Sequence, residues 1–242
     1  MKNRDRLAPL PETWERALAV VAHPDDLEYG AASAIARWTS QGKKVAYLLV
    51  TRGEAGIDGI DPEETGRIRS QEEKESATIV GVQQVDFLSY PDGVIEYGLP
   101  LRRDIARAIR KYRPDLLITL NHHLTFGRTI FNMADHRAVG LAAMDAARDA
   151  GNRWIFPELI REGLNPCNNV KRICVSGSPN PTHAVDVTSF IDKGIASLQK
   201  HRIYIQNLSG RFDPDEFLRK NASITGTHFG CKYAVDFEVI EV

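Results

Sequence analysis

Alternation is the feature that most constrains this chain. Short apolar runs at 16–23 (RALAVVAH), 44–51 (KVAYLLVT), 84–90 (QVDFLSY) and 115–121 (DLLITLN) are separated by stretches with helical spacing. In 30–42, Ala31, Ala34, Ile35 and Trp38 share one helix face and Gly42 follows as a stop. Residues 62–81 open with proline and acids and close with glycine, which is the polarity of a helix. Stretches 99–114 and 134–151 supply two further helices. Strands that are apolar throughout must be covered on both faces. The pattern therefore predicts an α/β fold, a three-layer sandwich around a mostly parallel sheet. In such sheets ligands lie outside the carboxyl ends of the strands. Function is expected in the loops that follow residues 23, 51, 90 and 121.

The pattern weakens after residue 151. Residues 154–170 look irregular. Two strands are expected within 172–188, an amphipathic helix at 189–208, a helix near 214–222 and a final strand at 233–242. At 242 residues the chain suits one domain, 1–242. Its 1–151 core would be walled along the cleft by a C-terminal cap region, 152–242. With 31 basic and 32 acidic side chains, the net charge of −1 offers no electrostatic footprint for nucleic acid. No run approaches the ~20 apolar residues of a membrane span, so no membrane insertion is expected. The first 21 residues lack a contiguous apolar signal core, which predicts a cytoplasmic location. Three cysteines without a C-x-x-C pair argue against a disulfide framework or a thiolate zinc site.

The first predicted strand empties into "VVAHPDDLEYG", residues 20–30. Three residues apart in a turn, His23 and Asp26 can point the same way and converge on a cation, leaving Asp25 free. Pro24 stiffens the turn. A catalytic zinc takes three protein ligands and keeps one position open. His136, in "NMADHRAVG" after the fourth strand, supplies a third ligand from the same sheet edge. Asp25 would then stand beside the open position as general base. The alternative is structural: "HPDD" as a capped helix start, and Asp135 as an ordinary cap. "TRGEAG" (51–56) lacks a phosphate-binding glycine fingerprint or lysine. It is expected to be a tight turn in the pocket wall, with Glu54 behind the metal or on a substrate hydroxyl.

Taken in order, "AHPDDLEYG", "VTRGEAG", "RSQE", "VGVQQVDFLSYPDG", "RPDLLIT", "ADHRAVG" and "VDVTSFIDKGIASLQKH" resemble the PIG-L/LmbE-like zinc N-deacetylases. The resemblance runs from about residue 16 to about 205. It implies a Rossmann-like fold, one Zn2+ per chain and hydrolysis of an N-acyl, usually N-acetyl, group from an amino-sugar-containing small molecule. The family's metal ligands fall on His23, Asp26 and His136, and its general base on Asp25. Its substrate-contacting arginine falls on Arg69 and its sugar-contacting aspartate on Asp92. Asp135 would stand behind the ligands. Homo-oligomerisation is compatible with this reading.

One departure matters. Many members carry His-Pro-Asp-His where this chain has Met133-Ala134-Asp135-His136, and methionine cannot protonate a leaving amine or stabilise an oxyanion. Either Asp25 serves as both base and acid, or another histidine substitutes, or turnover is weak. The candidates are His122, His183, His228 and, above all, His123, which closes the fourth strand's loop; His201 matches a family histidine of structural or pocket-rim role. A metal-binding protein that holds a glycosylated small molecule with little turnover is thus the competing function. A nucleotide-dependent enzyme is a third, disfavoured by the missing glycine fingerprint.

Overall fold

The computed structural model describes residues 7–127 and 129–242. In chain order the elements are β1 (Ala8–Pro9), β2 (Arg16–Val21), α1 (Ala32–Ser40), β3 (Lys44–Leu49), α2 (Pro62–Ile79), β4 (Gln84–Phe87), α3 (Leu99–Tyr112) and β5 (Leu116–Leu120). There follow β6 (Thr125–Phe126), β7 (Ile130–Phe131), α4 (Ala134–Asp149), α5 (Glu158–Arg161), β8 (Arg172–Ser176) and β9 (His183–Asp186). The chain ends with α6 (Ile191–Leu198), α7 (Arg202–Gln206), α8 (Pro214–Phe229) and β10 (Ala234–Glu241).

The sheet order is β1-β9-β10-β8-β5-β2-β3-β4, and β10 alone runs against its neighbours. The mostly parallel α/β expectation therefore holds. All of β5 and all but the first residue of β2 are buried, as their unbroken apolar sequences require. α3 and α4 pack together against β2 and β5, while α6 packs on α1, α2 and α8. Trp38 of α1 sits edge-on to Trp14 at 5.2 Å and stacks on Phe237 of β10 at 5.9 Å, so the end of the chain completes the core of its beginning. After β2 the chain moves outward through β3 and β4, then returns to place β5 on the other side of β2. That reversal opens a crevice at the carboxyl ends of β2 and β5.

Three details differ from the sequence reading. Residues 152–242 do more than wall the cleft, because β8, β9 and β10 extend the same sheet. The helix expected over 189–208 is two helices, α6 and α7, broken at His201 with φ −76° and ψ 52°. The break has a tertiary cause. Glu72 of α2 accepts the N–H of Ile203 at 2.7 Å and reaches that of Tyr204 at 3.5 Å, capping α7 from outside. α8 runs on to Phe229, capped by Asp213 and closed by Gly230 at φ 98°, further than the 214–222 the pattern suggested.

Candidate functional site

His23 leaves the carboxyl end of β2, and the turn behind it is built by Asp26. One carboxylate oxygen of Asp26, Oδ2, accepts the backbone N–H groups of Ala22 (3.0 Å) and His23 (2.8 Å). Its other oxygen, Oδ1, lies 3.0 Å from His136 Nε2, which arrives from the first turn of α4. His23 Nδ1 is 3.7 Å from Asp26 Oδ2. Ligand atoms of His23, Asp26 and His136 all lie within 4.8 Å of one another.

Each imidazole is held from behind. His23 Nε2 is 2.9 Å from Asp92 Oδ1 and 3.3 Å from Asp135 Oδ2, and His136 Nδ1 is 3.0 Å from Asn132 Oδ1. Protons placed on those outer nitrogens satisfy these bonds and leave lone pairs facing Asp26. Burial works against a charge on His23, yet its bonds to Asp135, Asp26 and Asp92 raise its pKa well above the ordinary value. Burial likewise opposes the charge on Asp26, but His136 and His23 hold it well below the carboxylate range. The arrangement gathers three carboxylates around one imidazole and favours positive charge. Two histidines and a carboxylate, each ordered by a further hydrogen bond, fit a divalent cation such as zinc.

Asp25 occupies a conformation few side chains adopt, with φ 97°. Its surroundings enforce it. Glu73 Oε2 accepts the Asp25 N–H at 3.1 Å, and the Asp25 carbonyl accepts from Glu28 and Tyr29 at 2.9 and 3.2 Å. Arg69 Nη2 donates to the Pro24 carbonyl at 2.5 Å and lies 3.2 Å from Asp25 Oδ2. Burial raises the Asp25 pKa, Arg69 opposes it, and it comes to rest at about 6. A carboxyl tuned to that range can accept and release a proton near neutrality.

Arg69 also explains the glycines of "TRGEAG". A Cβ on Gly53, itself at φ 66°, would meet Arg69 Nη1 at 2.2 Å, and one on Gly56 would meet it at 2.3 Å. The loop is bare so that a buried guanidinium can cross it. Glu54 lies in the same loop but not on the cavity of about 300 Å³ that His23, Asp25, Asp26, Asp92 and His136 line. It accepts the Asp92 N–H at 3.0 Å while Asp92 accepts the Ala55 N–H at 2.9 Å, so it clamps two loops together. That places Glu54 behind Asp92, which itself meets His23, and corrects the expectation of a substrate contact. Asp135 does not cap α4, whose start has no side-chain cap. Its carboxylate accepts the N–H groups of Gly93 (2.7 Å) and Ile95 (3.1 Å) and so ties the "PDG" turn to His23.

His123 is likewise corrected. It pairs with Glu238 at 2.8 Å and does not line this cavity. Nor do His122, His183 or His228, and His201 lies wholly buried beside Glu28 and Glu73. Met133 is on the cavity wall, half-exposed. Two lining residues with polar side chains were missed: Tyr29 and Tyr204. The Tyr204 ring carries the Arg69 guanidinium at 4.0 Å. Burial, then the charge of Asp25, holds both phenols above their ordinary pKa, so they remain neutral donors. Tyr29 was quoted in the opening motif and could have been found there. Tyr204 is brought in by the break at His201, which has no local signal.

The fold and the cavity define a class: a Rossmann-like α/β protein with a candidate metal centre at the switch point of a parallel sheet. Comparison with known proteins then fixes the family. The model of the PIG-L family, GlcNAc-PI de-N-acetylase, matches residues 18–147, and the chain belongs to that family. The chain is 27% identical to the diacetylchitobiose deacetylase of Thermococcus kodakarensis over 223 residues, which is 91% of this chain and 81% of the relative. The solved structure of N,N'-diacetylchitobiose deacetylase from Pyrococcus horikoshii superposes with a TM-score of 0.85 at 26% identity, covering 95% of this chain and 85% of that one. A 4-carboxy-2-hydroxymuconate hydratase from Pseudomonas putida shares the fold alone, with TM-score 0.74, 19% identity and coverage of 93% and 96%.

Proposed function

We propose that this protein is a zinc-dependent N-deacetylase that hydrolyses the linear amide of an N-acetylated amino sugar or a small glycoconjugate. One observation carries the reading: Asp25, poised at about 6, shares a cavity with the convergent His23, Asp26 and His136. The deacetylase names of the full-length relatives support the amide and the sugar.

Zinc held by His23, Asp26 and His136 would supply Lewis acidity toward the amide carbonyl and the attacking water. Asp25 takes the proton of that water on its carboxylate as the oxygen bonds to the acyl carbon. When the carbon–nitrogen bond breaks, the same carboxyl returns the proton to the departing amine, leaving acetate and a free amino sugar. Arg69 fixes the Asp25 turn and, with Tyr204 stacked on it, limits where the carboxylate can move. Met133 offers no donor to the developing oxyanion; the neutral hydroxyls of Tyr204 and Tyr29 are donors on the cavity wall, beside the Arg69 guanidinium. The described residues contain no helix long and apolar enough to cross a membrane.

The test is acetate release from N,N'-diacetylchitobiose and N-acetylglucosamine, with and without added Zn2+, the free amine being identified by mass. Zinc-dependent release is expected. A folded, zinc-loaded protein that binds these sugars tightly but releases no acetate would replace this reading with that of a sugar-binding protein. Met133 in the wall is the observation that favours that second reading.

A further inference from the structure

A second set of metal-ligating side chains lies outside the cavity. His122 and His123 follow β5 in a loop whose turn is set by Asn121, its side-chain oxygen accepting the His123 N–H at 2.9 Å. The turn brings the two rings to the same side, with centroids 4.1 Å apart. His123 Nε2 lies 2.8 Å from Glu238 Oε2 on β10, and Ser178 Oγ donates to that same oxygen at 2.5 Å. His122 Nδ1 is buried and has no hydrogen-bond partner among the described residues. One ligand atom from each of His122, His123 and Glu238 lies within 4.8 Å of the other two. All three residues are half-buried, so the cluster is ordered by the sheet yet reachable from solvent.

A His123–Glu238 pair alone explains two of the three groups. It leaves a buried ring nitrogen of His122 unused against its neighbour, which is costly without a partner. Two imidazoles in near-stacked contact cannot both carry a proton cheaply, whereas a single cation uses both lone pairs and the carboxylate together. We propose that His122, His123 and Glu238 form a second divalent-cation site, of the nitrogen-and-oxygen type that suits zinc, with Ser178 or water completing it.

The site would brace the first one. Asn132 donates to the carbonyl oxygens of Asn121 (2.7 Å) and His123 (2.9 Å), and its own oxygen orients His136 Nδ1 at 3.0 Å. A cation that fixes residues 121–123 therefore fixes the ring that enters the cavity, without touching substrate.

The experiment is the zinc stoichiometry of the full chain by titration calorimetry and elemental analysis. Wild type is compared with His122→Ala, with the isosteric Glu238→Gln, and with His23→Ala, each checked for folding by circular dichroism. Two zinc ions in wild type are expected, and one in each variant, His23→Ala keeping the ion that His122→Ala loses. Glu238→Gln preserves the Ser178 contact and guards against misfolding in the alanine variant. One zinc in wild type at saturation that disappears with His23→Ala overturns the proposal, as does a second zinc bound with unchanged affinity in both His122→Ala and Glu238→Gln. One zinc that survives His23→Ala and is lost with His122→Ala would keep this site and remove the other.

Discussion

Asp25 and Asp26 are neighbours with opposite environments. Asp26 faces two imidazoles and stays ionised, whereas Asp25 is desolvated and held near the middle of the useful range. That His23 and Asp26 converge while Asp25 stands apart was legible in the spacing of "HPDD", because it is local. The partners that make it work were not, since Glu73, Arg69 and Tyr204 come from other elements. If Tyr204 donates to the oxyanion, Tyr204→Phe should lower kcat about 10²-fold while KM changes little, as steady-state kinetics would reveal. An equal loss in KM alone would assign Tyr204 to substrate binding. His201 offers a pH test. Burial opposes its charge, but Glu28, Glu73 and Asp25 raise its pKa from 6.5 to about 9. The folded state thus holds the proton more tightly than the unfolded state. This stabilisation is full below pH 6.5 and disappears as pH rises through about 9. Thermal denaturation of His201→Gln should show a flatter loss of Tm across that window than wild type.

At the level of elements, helix α4 carries His136 and packs its Gly140 directly against the end of β5. A Cβ there would meet the Leu120 carbonyl oxygen at 2.7 Å and His122 Cβ at 2.9 Å. In an exposed helix, glycine to alanine gains about 0.5–1 kcal/mol. Here the contact is with backbone, so the helix must shift, and overpacking costs about 1–3 kcal/mol. Gly140→Ala is therefore expected to lower the urea midpoint and weaken zinc binding, since His136 lies one turn away. An increase in stability would show that the helix has slack. Strands β2 to β5 and the helices between them were readable because each carries its own periodicity. The break between α6 and α7 was not, because its cap is Glu72, more than a hundred residues earlier in the chain.

Across the whole molecule, sheet order gathers residues from 23 to 204 at one edge. Sequence periodicity revealed the parallel α/β class but not the order of strands, which depends on pairings such as β1 with β9 and β10 between β9 and β8. The C-terminal strands therefore looked like a wall while they are part of the sheet. The proposed function requires that His23, Asp26 and His136 hold a metal while Asp25 moves the proton. It is tested most directly by measuring, on the same preparations of Asp25→Ala and Asp26→Ala, zinc affinity at this site and the rate of acetate release. Asp25→Ala should bind zinc as wild type does and lose about 10²–10⁴-fold in kcat, while Asp26→Ala should lose the zinc and the turnover together. Asp25→Ala turning over at close to the wild-type rate, or Asp26→Ala retaining wild-type zinc affinity, would contradict it.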